Sequence, residues 1–71
     1  MKQLRISQWL SLSGSAEFID VSTDTIGRRA HSWQKEAVPG KVRFKLLKLG
    51  EGTRMERRYY VPDLEAWLEA A

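Results

Sequence analysis

Between Val21 and Trp33 the chain reads VSTDTIGRRAHSW, and the polar residues of this stretch carry groups able to recognise another molecule. Arg28 and Arg29 supply guanidinium forks suited to paired acceptors, Thr23 and Thr25 supply hydroxyls, Asp24 is an acceptor, and His31 is the one imidazole of the chain. Ser22 is a good N-cap because its hydroxyl can accept from an orphan amide, and Asp24 suits the positive end of the helix dipole. A helix is therefore predicted from this point, with Ile26, Ala30 and Trp33 inward behind Val21. Thr23, Thr25, Gly27, Arg28 and His31 then face mostly outward.

The charge distribution extends this reading. The ten basic residues between Arg28 and Arg58 face only Glu36, Glu51 and Glu56, a balance of +7, whereas the preceding segment carries −1 and the following one −3. One polyanion-facing side is the expected consequence, because a purely solubilising surface mixes its signs more evenly. Catalysis finds no support. There is no cysteine, only one histidine, no glycine loop leading into a phosphate-binding lysine, and no carboxylate pair beyond those explained by helix starts. His31 has no second ligand type beside it, so neither a metal nor another cofactor is expected.

The elements that must position these groups follow from local pattern. Seventy-one residues are read as a single domain spanning 1–71, which buries about 60% of the surface its unfolded chain would expose. Without disulfides the small apolar nucleus must hold the fold, and Trp9, Trp33 and Trp67 are assigned to it. No long apolar run is present, so neither a membrane span nor a secretory signal is expected, and a cytoplasmic location is. Leu4 and Ile6 alternate as a short entry strand. Ser7 is read as the cap of a short helix over Gln8–Leu12, SLSGS (Ser11–Ser15) as a break, and Ala16, Phe18 and Ile19 as a second short helix. Asp20 sits where the chain must turn in the left-handed region. With the helix after Ser22, this makes a helix-turn-helix corner.

Pro39-Gly40 ends the helical part, and KVRFKL places Val42, Phe44 and Leu46 on one strand face and Lys41, Arg43 and Lys45 on the other. GEGT, Gly50–Thr53, is a hairpin tip, with a bulge or long tip expected over Leu47–Leu49, and RMERRYYV returns as the second strand. One of Tyr59 and Tyr60 must face inward by alternation. Pro62 opens a last helix with Asp63 and Glu65 in its first turn and Leu64, Trp67 and Leu68 as its apolar stripe.

This order of elements resembles the winged-helix DNA-binding domains of phage excisionases and the related AlpA-type and MerR-type regulators. LRISQW (Leu4–Trp9) is similar to the apolar opening of excisionases, VSTDTIGRR to the family's start of the recognition helix, and RRYYVPDLEAWL to its second wing strand and final helix. Together these cover most of the chain. Two departures stand out: Ala30 is small where the family carries a bulky apolar residue, and Gly27 lies inside the helix. Gly27 either admits close approach of the backbone to DNA or marks a position that tolerates a weak helix former.

The resemblance implies an α+β winged helix-turn-helix, with two short helices, a basic two-stranded hairpin wing and a C-terminal helix. It implies a recognition helix in the major groove, presenting Ser22, Thr23, Asp24, Thr25, Gly27, Arg28, Arg29 and His31. In that reading Arg28 reads guanine, Thr23 and Thr25 meet phosphate or a thymine methyl, and Arg29 meets a flanking phosphate. Asp24 either accepts from cytosine or serves only the helix start, and His31 either meets phosphate or is simply exposed. Lys45, Lys48, Arg54, Arg57 and Arg58 would form the wing, with Lys41 and Arg43 on phosphate at its base. The implied role is a sequence-specific, duplex-bending architectural protein that directs an integrase, a tyrosine recombinase, toward excision. It would be a monomer in free solution, with neighbouring copies associating along DNA, encoded by a phage or mobile element and acting in the bacterial cytoplasm or nucleoid. The alternatives are a small AlpA-like transcriptional regulator, a DNA-packaging module like a terminase small subunit, and a protein-interaction module for an acidic partner.

Overall fold

Two short polar side chains set the limits of the helical corner. Ser11 Oγ accepts from the Gly14 amide at 3.0 Å and opens α1 (Leu12–Ile19), while Asp20 closes it in the left-handed conformation at φ 58°. The Asp20 amide reaches Glu17 O and the Val21 amide reaches Ala16 O, a Schellman ending in which aspartate takes the place usual for glycine. Two residues on, Ser22 Oγ accepts from the Thr25 amide at 3.1 Å and opens α2 (Thr23–Arg28). The three-residue turn from Asp20 to Ser22 thus joins two capped helices, as the sequence predicts.

The computed structural model describes residues 8–48, 52 and 54–70. Besides α1 and α2 these form β1 (Trp9–Leu10), β2 (Ala30–Ser32), β3 (Val42–Lys48), β4 (Met55–Tyr60) and α3 (Val61–Ala70). The strands make one sheet in the order β1-β4-β3-β2, in which β2 runs parallel to β3 and the other pairs are antiparallel. The α+β class expected from the sequence holds, and no described helix is long and apolar enough to cross a membrane.

Ala16 and Ile19 of α1, Ile26 of α2, Leu64 of α3, Val42 of β3 and Tyr59 of β4 form the buried core, with Leu10, Val21, Ala30, Phe44 and Trp67 packed at its edge. All three helices therefore bury side chains against the sheet face that carries Val42 and Tyr59. Full burial of an aliphatic side chain is worth about 1.5–3 kcal/mol, so Ile26 and Leu64 are principal anchors of a core this small.

Several local expectations are corrected. Gln8–Leu12 is not a helix: Trp9 and Leu10 pair with Tyr60 and Tyr59, because a neighbouring aromatic strand outweighs local helix preference. SLSGS is not a break, since Ser11 caps α1 and Gly14 lies within it. The helix after Ser22 ends at Arg28. Arg29 is its C-cap, and the Arg29 carbonyl accepts from Val42 N–H at 2.8 Å, which diverts the chain into β2. Trp33 is thereby removed from the helix and lies more than a third exposed. The ladder runs without a bulge from Phe44↔Tyr59 to Lys48↔Met55. The hairpin is part of a four-stranded sheet rather than an isolated two-stranded wing. The entry strand at Leu4 and Ile6 and the cap at Ser7 lie outside the described residues, as does Leu49.

Between β2 and β3 the chain reverses through Val38-Pro39-Gly40-Lys41. Lys41 N–H donates to Val38 O at 3.0 Å, Pro39 sits at the second position, and Gly40 has φ 78°, the arrangement of a type II turn. Glycine is required there because a side chain at that φ is strained.

Candidate nucleic-acid interface

The outer face of α2 is short and polar. Arg28 and Asp24 are joined one helical turn apart, Nε to Oδ2 3.1 Å, and their side chains are 78% and 75% exposed. Such a pair is worth a few tenths of a kcal/mol, so the Arg28 fork is held loosely and another acceptor can compete for it. Ser22 and Thr25 share a 2.9 Å hydroxyl–hydroxyl hydrogen bond, and Thr23 is exposed beside them. Nothing lies within 4 Å of the place a Cβ would occupy at Gly27, so the backbone is uncovered at that point.

Arg29 and His31 do not belong to this face. Arg29 donates from Nη1 to Gly40 O at 3.2 Å and lies over the Trp67 ring at 5.2 Å, tying the type II turn to α3. His31 sits in β2 opposite Arg43, with Nδ1 2.8 Å from Ser32 O. Both are expected on a helix running to Trp33, and both leave it because the helix ends at Arg28.

Among the wing cations the correction is Arg43. Expected as an outward phosphate contact, it is 6% exposed. Its Nε and Nη2 donate to Asp63 Oδ2 and Oδ1, each at 2.8 Å, and its own amide donates to Oδ2 at 2.9 Å. Nη1 reaches the carbonyls of Gln34 and Lys35. Alternation puts Arg43 on the sheet face away from the helices, as read, but the 33–35 segment crosses that face and removes the solvent. The hydrogen bonds that Arg43 donates to Asp63 raise the Arg43 pKa against the opposing effect of burial. Burial pushes the Asp63 carboxyl up, yet the hydrogen bonds and charge of Arg43 more than offset this and hold it below the ordinary carboxylate value.

The remaining wing residues divide by position. Lys45 lies with its ammonium 5.2 Å and 5.1 Å from the centres of Trp9 and Trp33. Arg58 is half-buried and paired with Glu56 at 3.4 Å. Arg57 is exposed, with its guanidinium 4.3 Å over Phe44 and Nη1 donating to Tyr59 Oη at 3.5 Å. Lys41, Lys48 and Arg54 are exposed. The pairings Phe44↔Tyr59, Leu46↔Arg57 and Lys48↔Met55 put Arg57 and Lys48 on the face to which the helices contribute Ile26, Ala16 and Leu64. The helix α2 and the distal cationic ribbon thus lie on one side of the sheet.

On the opposite face Trp9, Trp33 and Tyr60 form a ring cluster with centroids 4.9–5.3 Å apart, with Arg43 and Lys45 stacked on it. Trp9 and Trp33, expected in the core, belong instead to this separate cluster, while Trp67 packs at the edge of the core. Alternation at Tyr59 and Tyr60 gave half of the signal, and the other half, the pairing of Trp9 with Tyr60, is non-local.

No family model matches the chain, and no curated protein or solved structure is significantly similar to it.

Proposed function

We propose that the chain is a sequence-specific double-stranded DNA-binding protein of winged-helix type whose biological role is that of an excisionase, bending a duplex and steering an integrase toward excision. The observation that carries this reading is the shared side: the uncovered polar face of α2, with Arg28 at its end, and the distal ribbon bearing Arg57 and Lys48 are presented together. A short helix in the major groove leaves a flanking ribbon free to follow the backbone or enter the adjacent minor groove, where arginine meets enhanced negative potential. Arg28 reads a base edge and the ribbon supplies phosphate contacts. Arg43 supplies none, because its fork is committed to Asp63. Copies of the protein bind neighbouring sites as monomers, and the acidic α3, through Glu65 and Glu69, contacts the integrase or the next copy.

Footprinting on the DNA flanking its own gene tests the reading. Closely spaced tandem sites are the expected result, and a single palindrome at a promoter would indicate transcriptional control instead. Arg28→Ala and a double alanine substitution at Lys48 and Arg54 are expected to weaken duplex binding in fluorescence anisotropy. Affinity unchanged in both variants sinks the DNA reading.

A further inference from the structure

The distal ribbon holds apolar side chains that the fold does not use. Leu46 is 56% exposed and Met55 51%, although each sits in a regular ladder flanked by cations. Leu46 pairs with Arg57 and Met55 with Lys48, so the two apolar residues are diagonal neighbours on one face, within mutual reach, with a cation beside each. Arg57 is drawn back onto Phe44 and Tyr59, and Leu46 beside it remains more than half exposed. The same face looks toward the side of the sheet where α2 packs.

Building on the DNA-binding reading above, we propose that Leu46 and Met55 form an apolar wedge that enters the minor groove and partly unstacks a base step, while Lys48 and Arg57 hold the flanking phosphates. Apolar side chains inserted in this way kink a duplex toward its major groove. Charge selects the occupant: the patch is flanked on its own face by Lys48 and Arg57, with Arg54 exposed just before Met55, which suits a polyanion whose interior is apolar, and stacked bases between phosphates have that character. Leu47, on the reverse face opposite Glu56, takes no part. The wedge accounts for bending without any further contact surface, since the energy of unstacking is returned by the closer approach of α2 to a duplex bent around it.

The test uses the whole chain and a duplex of about 30 base pairs rich in TA and CA steps, labelled at its ends for energy transfer and carrying 2-aminopurine at those steps. Wild-type protein is expected to shorten the end-to-end distance and raise 2-aminopurine fluorescence. It is also expected to bind at least about tenfold tighter when a mismatch at the wedge step has already relieved stacking. Leu46→Ser/Met55→Ser loses both optical signals and the mismatch preference, yet keeps the salt dependence because no charge is removed. Leu46→Ile/Met55→Leu restores them, and Leu47→Ser behaves as wild type. The exposure of both positions leaves the fold intact, which an unchanged melting transition verifies. Undiminished bending by the serine variant overturns the wedge and leaves DNA binding standing. Unchanged bending with loss of cooperative loading overturns it also, and assigns the patch to contact between copies. Failure of the wild type to bind any duplex overturns both readings.

Discussion

The two halves of the β3–β4 ribbon obey the same alternation and meet opposite fates. At the base, Arg43 is enclosed by Trp33, Tyr60 and the Gln34–Lys35 carbonyls and welded to Asp63. Farther out, Lys48, Arg54, Leu46 and Met55 stand in solvent. Residue type does not separate them, because arginine occurs in both halves. The separating variable is cover: the base is crossed by the chain that links β2 to β3 and abutted by the first turn of α3, and the distal half has neither. A basic strand therefore divides into a structural cation and an accessible patch, and only the second can take part in recognition.

The largest effect expected from this contrast is on stability. Removing one partner of a buried hydrogen-bonded ion pair leaves an uncompensated charge and costs about 3–5 kcal/mol. A domain of this size has roughly 4–10 kcal/mol of total stability. Asp63→Ala should accordingly bring the chain close to its unfolding threshold, measured as a large fall in the urea midpoint, while Lys48→Ala changes the midpoint negligibly. Equal, small shifts for the two variants would erase the contrast.

Acid sharpens the same point. The Asp63 carboxyl titrates below its ordinary value of 3.8 when folded, so its contribution is complete above that pH and is lost as pH falls through the lower, folded value. Stability of the wild type should drop over this acidic interval, whereas Asp63→Asn should show a flatter profile and approach the wild type at the acid end. A parallel fall in both proteins would place the acid sensitivity elsewhere.

What could be foreseen from the chain divides along a physical line. The Ser22 cap, the left-handed Asp20, the burial of Ile26 and one inward ring of the Tyr59-Tyr60 pair depend on groups within a few residues of one another, and each is legible. Pro39-Gly40, expected to stop the helical part, instead turns the chain between β2 and β3, because the helix has already ended at Arg28. The Arg43–Asp63 pair joins residues 20 positions apart, and no spacing rule announces it. β2 was hidden for the same reason: Ala30–Ser32 becomes a strand only because Val42–Phe44 lies alongside to pair with it. Within the candidate site, Ser22, Thr23, Asp24, Thr25, Gly27 and Arg28 fall on or at the start of α2 as read, while Arg29 and His31 fall beyond it because a tertiary hydrogen bond ends the helix.

An intermediate effect is expected on DNA and in salt. Each phosphate neutralised by the protein contributes about 0.9 to the slope of log affinity against log salt. Under the DNA reading, Lys48→Ala and Arg54→Ala should each reduce that slope by up to about 0.9, with unfolding unchanged. Arg43 calls for the opposite signature. A conservative Arg43→Lys should destabilise the fold, because an ammonium cannot reproduce the planar fork on Asp63, while leaving the slope of the remaining folded protein unaltered. Slopes that fall for Arg43→Lys and hold for Lys48→Ala would invert the division between base and tip.

The smallest effect falls at Gly27, where stability and recognition are expected to part. A methyl group there meets no atom within 4 Å, so Gly27→Ala adds helix propensity without a clash. The expected gain is about 0.5–1 kcal/mol, read as a rise of a few degrees in the melting transition. The uncovered backbone lies on α2 directly before Arg28, so the same methyl also intrudes on any duplex that approaches the helix closely. Increased stability with weakened duplex binding marks Gly27 as a point of close approach. Increased stability with unchanged binding marks it as a tolerated weak former and moves the contact toward Arg28 and Thr23. A loss of stability would contradict the open space itself, since neither helix propensity nor sterics then accounts for the glycine.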